Sequence, residues 1–234
     1  MILANNSEFL KAKKRMYTLA FDTTANGCAI ALLRDTTVIA KYDEEMEFGQ
    51  AEVLIPQIEK MLQQKNLRFS DLNLLGVCIG PGSFTGVRSS VAAARAFALA
   101  MPQLAVTGVT AFEAYVHSLD MSELSSFNAV IIETKRDDFY FQLFNGKLEK
   151  LTEPTAADYA DIIDQLKGKT VTLIGNGVER FLDKPSGLVL HAIRMDKSAS
   201  ISDMAACAIQ KYKAQKLNYP KPLYLRAPDV CVKS

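Results

Sequence analysis

Apolar and polar positions along the chain follow two rhythms. Short apolar blocks recur at residues 16–21, 28–33 and 37–42, the last two joined by a turn at Arg34-Asp35-Thr36. Blocks of this length between polar turns predict strands. From 50 to 64 the apolar residues Ala51, Leu54, Ile55, Ile58, Met61 and Leu62 stand three or four apart, the spacing of one helix face. Pro56 falls inside this stretch and predicts a late start or a kink. An apolar block at 74–79, an Ala-rich run at 85–101, another block at 104–109 and a short helical stretch at 110–119 complete the half.

The order then restarts. Blocks at 127–132, 139–144 and 147–151 read as strands, the last two flanking Asn145-Gly146, a strong hairpin signal. Residues 155–167 read as a helix with Thr155 and Asp158 placed as a capping box. A strand at 170–174, a short helix at 177–182, a strand at 188–193 and a helix at 200–215 capped by Ser200 and Asp203 follow. The tail Tyr219-Pro220-Lys221-Pro222 is held extended by its prolines. Each half therefore reads βββαβαβα, which predicts an α/β chain of two lobes with a cleft between them. The polar stretch 120–126 divides an N-terminal lobe at 16–120 from a C-terminal lobe at 121–215, with a tail at 216–234. Residues 1–15, basic through Lys11, Lys13, Lys14 and Arg15, fall outside the folded pattern. They read as a disordered leader or as the product of an upstream start codon, with the second preferred.

Composition narrows the function classes. A chain of 234 residues with 49% hydrophobic and 23% charged content is an ordinary globular sequence. A net charge of +1 sets up no chain-wide field for nucleic acid or membrane. No apolar run approaches a membrane span. Cys28, Cys78, Cys207 and Cys231 are widely spaced, and two fall in apolar strand patterns, which suits reduced buried thiols and a cytoplasmic setting. Without a CxxC pair and with two histidines, His117 and His191, a metal site is poorly supplied.

The chemistry concentrates in Gly80-Pro81-Gly82-Ser83-Phe84-Thr85-Gly86-Val87-Arg88, between a strand and a helix. Three glycines in seven residues let the backbone approach a partner closely, and free N–H groups at a helix start favour an anion. This stretch, together with Leu19-Ala20-Phe21-Asp22-Thr23-Thr24, Gly108-Val109-Thr110-Ala111-Phe112-Glu113 and the ending Pro222-Leu223-Tyr224-Leu225-Arg226-Ala227-Pro228, resembles the TsaB (YeaZ) family of the actin-like, sugar-kinase and Hsp70 superfamily. The resemblance covers roughly residues 16–230. It implies a two-lobed actin-like ATPase (ribonuclease H-like) fold and a bacterial cytoplasmic protein. It further implies pairing with a TsaD-like catalytic subunit and a TsaE-like ATPase, in a complex that places a threonylcarbamoyl group on adenosine 37 of tRNA. TsaD carries the metal and the active site in that family.

The residues fit a subunit without chemistry of its own. Asp22, Thr23 and Thr24 occupy the first phosphate turn, with no Lys or Arg before Arg34. Together with Gly80, Gly82, Ser83, Thr85 and Gly86 they read as vestigial nucleotide loops. The second-lobe turn, Glu133-Thr134-Lys135-Arg136-Asp137-Asp138, has no glycine and sets two cations beside acids, a poor phosphate cradle. Gly175-Asn176-Gly177 serves equally well as a turn or an adenosine-side loop. The metal-binding histidine pair of TsaD enzymes matches Ala111 and Tyr115 here, so neither catalysis nor a metal or cofactor is expected. Ser83 reads as a helix cap in preference to a nucleophile. Arg88 reads as an anion partner or an ion-pair member. A histidine common in the family is replaced by Gln50. The small residues of the Ala-rich helix leave a shallow apolar face for a partner helix. With 50–64 it would form half of a four-helix contact through Val53, Ile58, Met61, Val91, Ala93, Arg95 and Ala96. TsaD would be the partner, with a homodimer when the chain is alone, and tRNA would be met mainly through the complex. An ATP-dependent phosphotransferase and a glycoprotease-like peptidase of the same fold are the rival readings.

Overall fold

The computed structural model describes residues 15–25, 27–195 and 198–226. Residues 1–14 of the leader read at 1–15, Asn26 in the first turn, Ala227-Pro228 of the ending and Cys231 lie outside these residues. The first sheet joins β1 (Tyr17–Asp22), β2 (Gly27–Arg34), β3 (Thr37–Glu45), β4 (Leu74–Cys78) and β5 (Ala105–Val109) in the order β3-β2-β1-β4-β5. β1, β2 and β3 run antiparallel, while β4 and β5 run parallel to β1. β4 is buried along its whole length because helices cover both faces, the ordinary condition of a parallel strand.

One face carries α1 (Gln50–Gln64) and α2 (Phe84–Ala100), which pack Leu54, Ile58, Met61, Leu62 and Ala94 against Leu19, Phe21 and Val77. The opposite face carries α6 (Ile201–Lys213), whose Met204, Ala205 and Ala208 meet Ala20, Ala31 and Leu74. This corrects the chain-order division: the helix read at 200–215 packs on the first sheet and not within a lobe at 121–215. Small residues on both sides let the helix settle close to the sheet. Such a pairing across more than a hundred residues leaves no local trace in sequence.

The second sheet has the order β10-β9-β6-β7-β8, from β6 (Phe127–Glu133), β7 (Phe139–Asn145), β8 (Thr155–Ala157), β9 (Thr170–Ile174) and β10 (Val189–Arg194). Its outer face is covered by α4 (Tyr159–Leu166) and α5 (Val178–Leu182), with Phe141, Ile162, Leu166 and Phe181 at the centre. Its inner face meets α3 (Ala111–His117), where Phe112, Tyr115 and Val116 pack on Val130, Ile132 and Phe144. The expected α/β architecture of two helix-flanked sheets, one for each lobe, is therefore present.

Two local expectations need correction. The third strand of the second lobe is Thr155–Ala157 and not 147–151, which folds back on the end of β7 as a turn with an isolated bridge, Phe144 to Lys150, and forms no strand. α4 accordingly starts at Tyr159, capped by Asp158 alone, whose carboxylate accepts from the Asp161 N–H at 2.9 Å. The helical and extended readings of Thr-Ala-Ala compete, and pairing with Phe139–Phe141 of β7 decides the outcome. Pro56 sits within α1 without ending it. Among the described residues no helix is long and apolar enough to cross a membrane.

Candidate functional site

The predicted first-lobe loops come together, and each spends its polar groups on the other. The Thr23 hydroxyl donates to the Gly86 carbonyl at 2.8 Å, and the Thr23 N–H donates to Ser90 Oγ at 3.1 Å. The Thr24 hydroxyl lies 3.2 Å from the Cys78 sulfur. The Ser83 N–H donates to the Thr24 carbonyl at 2.8 Å, and the Ser83 hydroxyl caps α2 by accepting from the Gly86 N–H. A Cβ on Gly82 would stand 2.3 Å from the Thr24 carbonyl oxygen, and one on Gly86 would stand 1.9 Å from that of Thr23. These glycines are required so that the start of α2 can press on the β1–β2 turn. Gly80 instead turns with a positive φ of 98° beneath the Leu223 carbonyl. Thr85 is exposed on the first turn of α2.

Asp22 ends β1, its carboxylate accepting from the Thr24 N–H at 2.6 Å. Burial raises its pKa above the ordinary carboxylate value against the lowering effect of the Thr24 bonds. Burial likewise pushes Cys28 to about 11 and Cys207 to about 12, so these thiols are inert at neutral pH.

The second-lobe turn is closed by its own acid. Glu133 accepts from the N–H groups of Thr134 at 2.8 Å and Lys135 at 2.7 Å, the positions a phosphate would need. Arg180 of α5 holds the same carboxylate with bonds of 2.7 and 2.9 Å and also donates to the Asp138 carbonyl. Burial works against the charge of Glu133, but Arg180 and the two N–H groups outweigh it and hold the carboxyl below its ordinary value. In Gly175-Asn176-Gly177, the Asn176 side chain accepts from the Glu133 N–H at 2.9 Å, so this loop buttresses the same turn.

The extended tail read from the prolines is a strap that crosses between the lobes, a placement that sequence reading missed. The Gly108 N–H donates to Asn218, the Leu223 N–H donates to Ile79 at 2.8 Å, and Arg95 Nε donates to Pro220 at 3.1 Å. Leu223 and Leu225 pack into the interlobe cluster, and Arg226 pairs with Asp138 of the second lobe. A second missed feature is Glu113, nearly buried. It closes a capping box with Thr110 and pairs with Lys211 of α6 at 2.7 Å and Lys150 of the second lobe at 3.1 Å. The run of prolines signalled an extended tail, but nothing local signalled what it touches.

Both histidines hold structure together. His117 bridges the Glu113 carbonyl and Gln210 of α6, and His191 bonds the Ser122 carbonyl. Ala111 offers no donor atom and Tyr115 is buried, so these positions do not fit a metal. Gln50 folds back on the Met46 carbonyl at 2.9 Å.

The expected partner face is partly corrected. Ile58, Met61 and Val91 are 0%, 3% and 3% exposed and belong to the chain's own core. Val53 is half-buried, and half-buried Ala93 packs against that core. Arg95 is held by the strap, and its guanidinium lies over Tyr219. Ala96 is exposed, and beside it Ala92 and Leu99 face solvent on α2 while Ile55 does so on α1. Leu99 and Phe48 are each 81% exposed. Leu99 was legible as a large apolar residue that the sheet-facing stripe of α2 does not use.

A family model described as "TsaD: tRNA N6-adenosine threonylcarbamoyltransferase" matches residues 47–231. The tRNA threonylcarbamoyladenosine biosynthesis protein TsaB of Bacillus subtilis (strain 168) is 30% identical over 174 residues, 72% of this chain and 74% of that protein. The protein of the same description from Escherichia coli (strain K12) is 28% identical over 90% of this chain and 95% of its own length. A crystal structure from Pseudomonas aeruginosa, of an uncharacterised protein similar to the peptidase YeaZ, superposes with a TM-score of 0.76. It is 19% identical, covers 90% of this chain and is itself covered in full, a likeness of fold.

Proposed function

The chain belongs to the TsaB (YeaZ) family, with a TsaD-type domain, and from that premise we propose that it is a non-catalytic subunit of the machinery that makes threonylcarbamoyladenosine in tRNA. It holds a TsaD-like catalytic subunit in a competent form, works beside a TsaE-like ATPase, pairs with itself when alone, and meets tRNA mainly within the complex. The observation that carries the reading is the self-occupied turn. The Thr134 and Lys135 N–H groups that would hold a phosphate already hold Glu133, locked there by Arg180. A phosphate entering the turn would have to displace a paired carboxylate and leave Arg180 without it. The Thr23 and Thr24 hydroxyls are committed to Gly86, Ser90 and Cys78 in the same way.

Partner binding is supported by the face that α1 and α2 leave open. Ile55 on α1 and Ala92, Ala96 and Leu99 on α2 present apolar surface, with small side chains that let a partner helix come close. The test is co-purification of the tagged chain from its own cell. A TsaD-like protein recovered in near-equal amount, and lost with Ala96→Glu at unchanged melting temperature, is the expected result. A wild-type chain that comes out alone overturns the reading.

A further inference from the structure

Charge is segregated along this nearly neutral chain. Residues 72–112 contain Arg88 and Arg95 and no carboxylate. Residues 204–226 contain five cations and no carboxylate, which leaves the rest of the chain net acidic. The fold lays these two segments side by side. Arg95 of α2 bonds the Pro220 carbonyl and lies 5.5 Å from the Tyr219 ring centre. Toward the other end of α2, the Phe84 ring stands 5.1 Å from that of Tyr224, with the Arg88 guanidinium 4.3 Å over it. Lys211 and Arg226 are taken up by Glu113 and Asp138, while Arg88 and Lys221 face solvent.

The product is a strip of rings and cations. Tyr219 is 55% exposed and Tyr224 is 43% exposed, both kept in place by an arginine or a second ring. Five residues apart on an extended strap, they are separated by up to roughly 17 Å, enough to seat different nucleotides of one strand. Ring faces along a groove or strip of cations are how proteins hold single-stranded nucleic acid, bases stacking and phosphates pairing. A duplex offers such rings little, because its bases are closed within the helix.

We propose that the strip between α2 and the C-terminal strap binds single-stranded RNA, with bases stacked on Tyr219 and Tyr224 and phosphates held by Arg88 and Lys221. It rests on the subunit reading above only in choosing RNA, and there it becomes this chain's own contact with the substrate.

The test is fluorescence anisotropy of the full chain with a labelled ten-nucleotide single-stranded RNA, and with the same strand annealed as a duplex. The single strand should bind at 50 mM salt and the duplex at least tenfold more weakly. Tyr219→Ala should weaken binding by roughly tenfold, the size of a lost stack, and Tyr219→Phe should restore it. Lys221→Gln should lower the slope of log affinity on log salt by about 0.7, one phosphate contact. Both positions are exposed, and unchanged melting curves check the fold. No binding at 50 mM salt, equal binding of the duplex, or full affinity in Tyr219→Ala would each overturn the proposal. Co-purification separates this from the subunit reading: these variants should retain the TsaD-like partner. A chain recovered alone that still binds the strand would sink the subunit reading only.

Discussion

Gly86 gives the sharpest test of what the glycine-rich stretch is for. Replacing a helical glycine by alanine ordinarily stabilises by about 1 kcal/mol. At Gly86 the new methyl would fall 1.9 Å from the Thr23 carbonyl oxygen, inside any contact distance. Gly86→Ala should therefore destabilise by about 2 kcal/mol or more, the range of overpacked cores, as read by denaturant unfolding. A stabilised variant would return the glycine to a ligand-binding role. Glu113 carries the pH dependence. Burial acts to raise its pKa, but Lys211, Lys150 and the Thr110 N–H together hold it below the ordinary value. A depressed folded pKa contributes stability that is present above the unfolded value of about 4.3 and lost as pH falls through the folded one. Glu113→Gln should thus cost roughly 3 kcal/mol at pH 7, because the nearly buried Lys211 keeps the Gly108 carbonyl but loses its countercharge. The deficit should shrink below about pH 4. A deficit independent of pH would show that shape and not charge matters there. Ser83 as a cap was legible because capping is local. Glu133 filling its own turn was not, since the lock comes from Arg180, 47 residues away.

At the scale of elements, α1 separates two kinds of apolar residue that one sequence pattern mixes. Its span, Gln50–Gln64, was legible from the three-and-four spacing, while the late start that Pro56 allowed did not occur. Which side faced inward was not legible, since Ile55 and Ile58 look alike in sequence. Only the placement of the helix on its sheet makes Ile58 0% and Ile55 42% exposed. Ile58→Ala should lower stability by about 2–5 kcal/mol and leave partner recovery, per folded chain, unchanged. Ala96→Glu should do the reverse, leaving the melt alone and reducing partner recovery at least tenfold. Thermal melts and pull-downs of the two variants side by side check this crossing pattern. Variants that fail both assays together would mean that the open face of α1 and α2 is not a separate interaction surface. The short strand Thr155–Ala157 was misread for a related reason. Three residues carry too little pattern to outweigh the helical stretch that follows, and only β7 pulls them straight.

In the whole molecule, the lobes are joined by parts that sequence order assigns elsewhere. α6 returns to the first sheet, Lys150 reaches from the second lobe to Glu113, and the strap is tied to Asp138 through Arg226. None of this was legible, because a helix or an extended tail announces its own conformation and not the surface it will cover. Of the three, the strap is the one whose removal leaves both sheets intact. Its Leu223 and Leu225 sit in the cluster where α3 meets β6 and β7. Deleting residues 218–234 should expose that cluster and remove the Arg226 tie, while the first sheet keeps α1, α2 and α6. Calorimetry should then resolve two transitions where the full chain gives one, the lower belonging to the second lobe. Arg226→Ala alone, which keeps the leucines in place, should lower the midpoint and preserve the single transition. If the shortened chain still melted in one step at the original temperature, α3 and the Glu113 pairs alone would account for the coupling of the lobes. The strap's purpose would then lie in the surface it presents with α2, with no part in holding the lobes together.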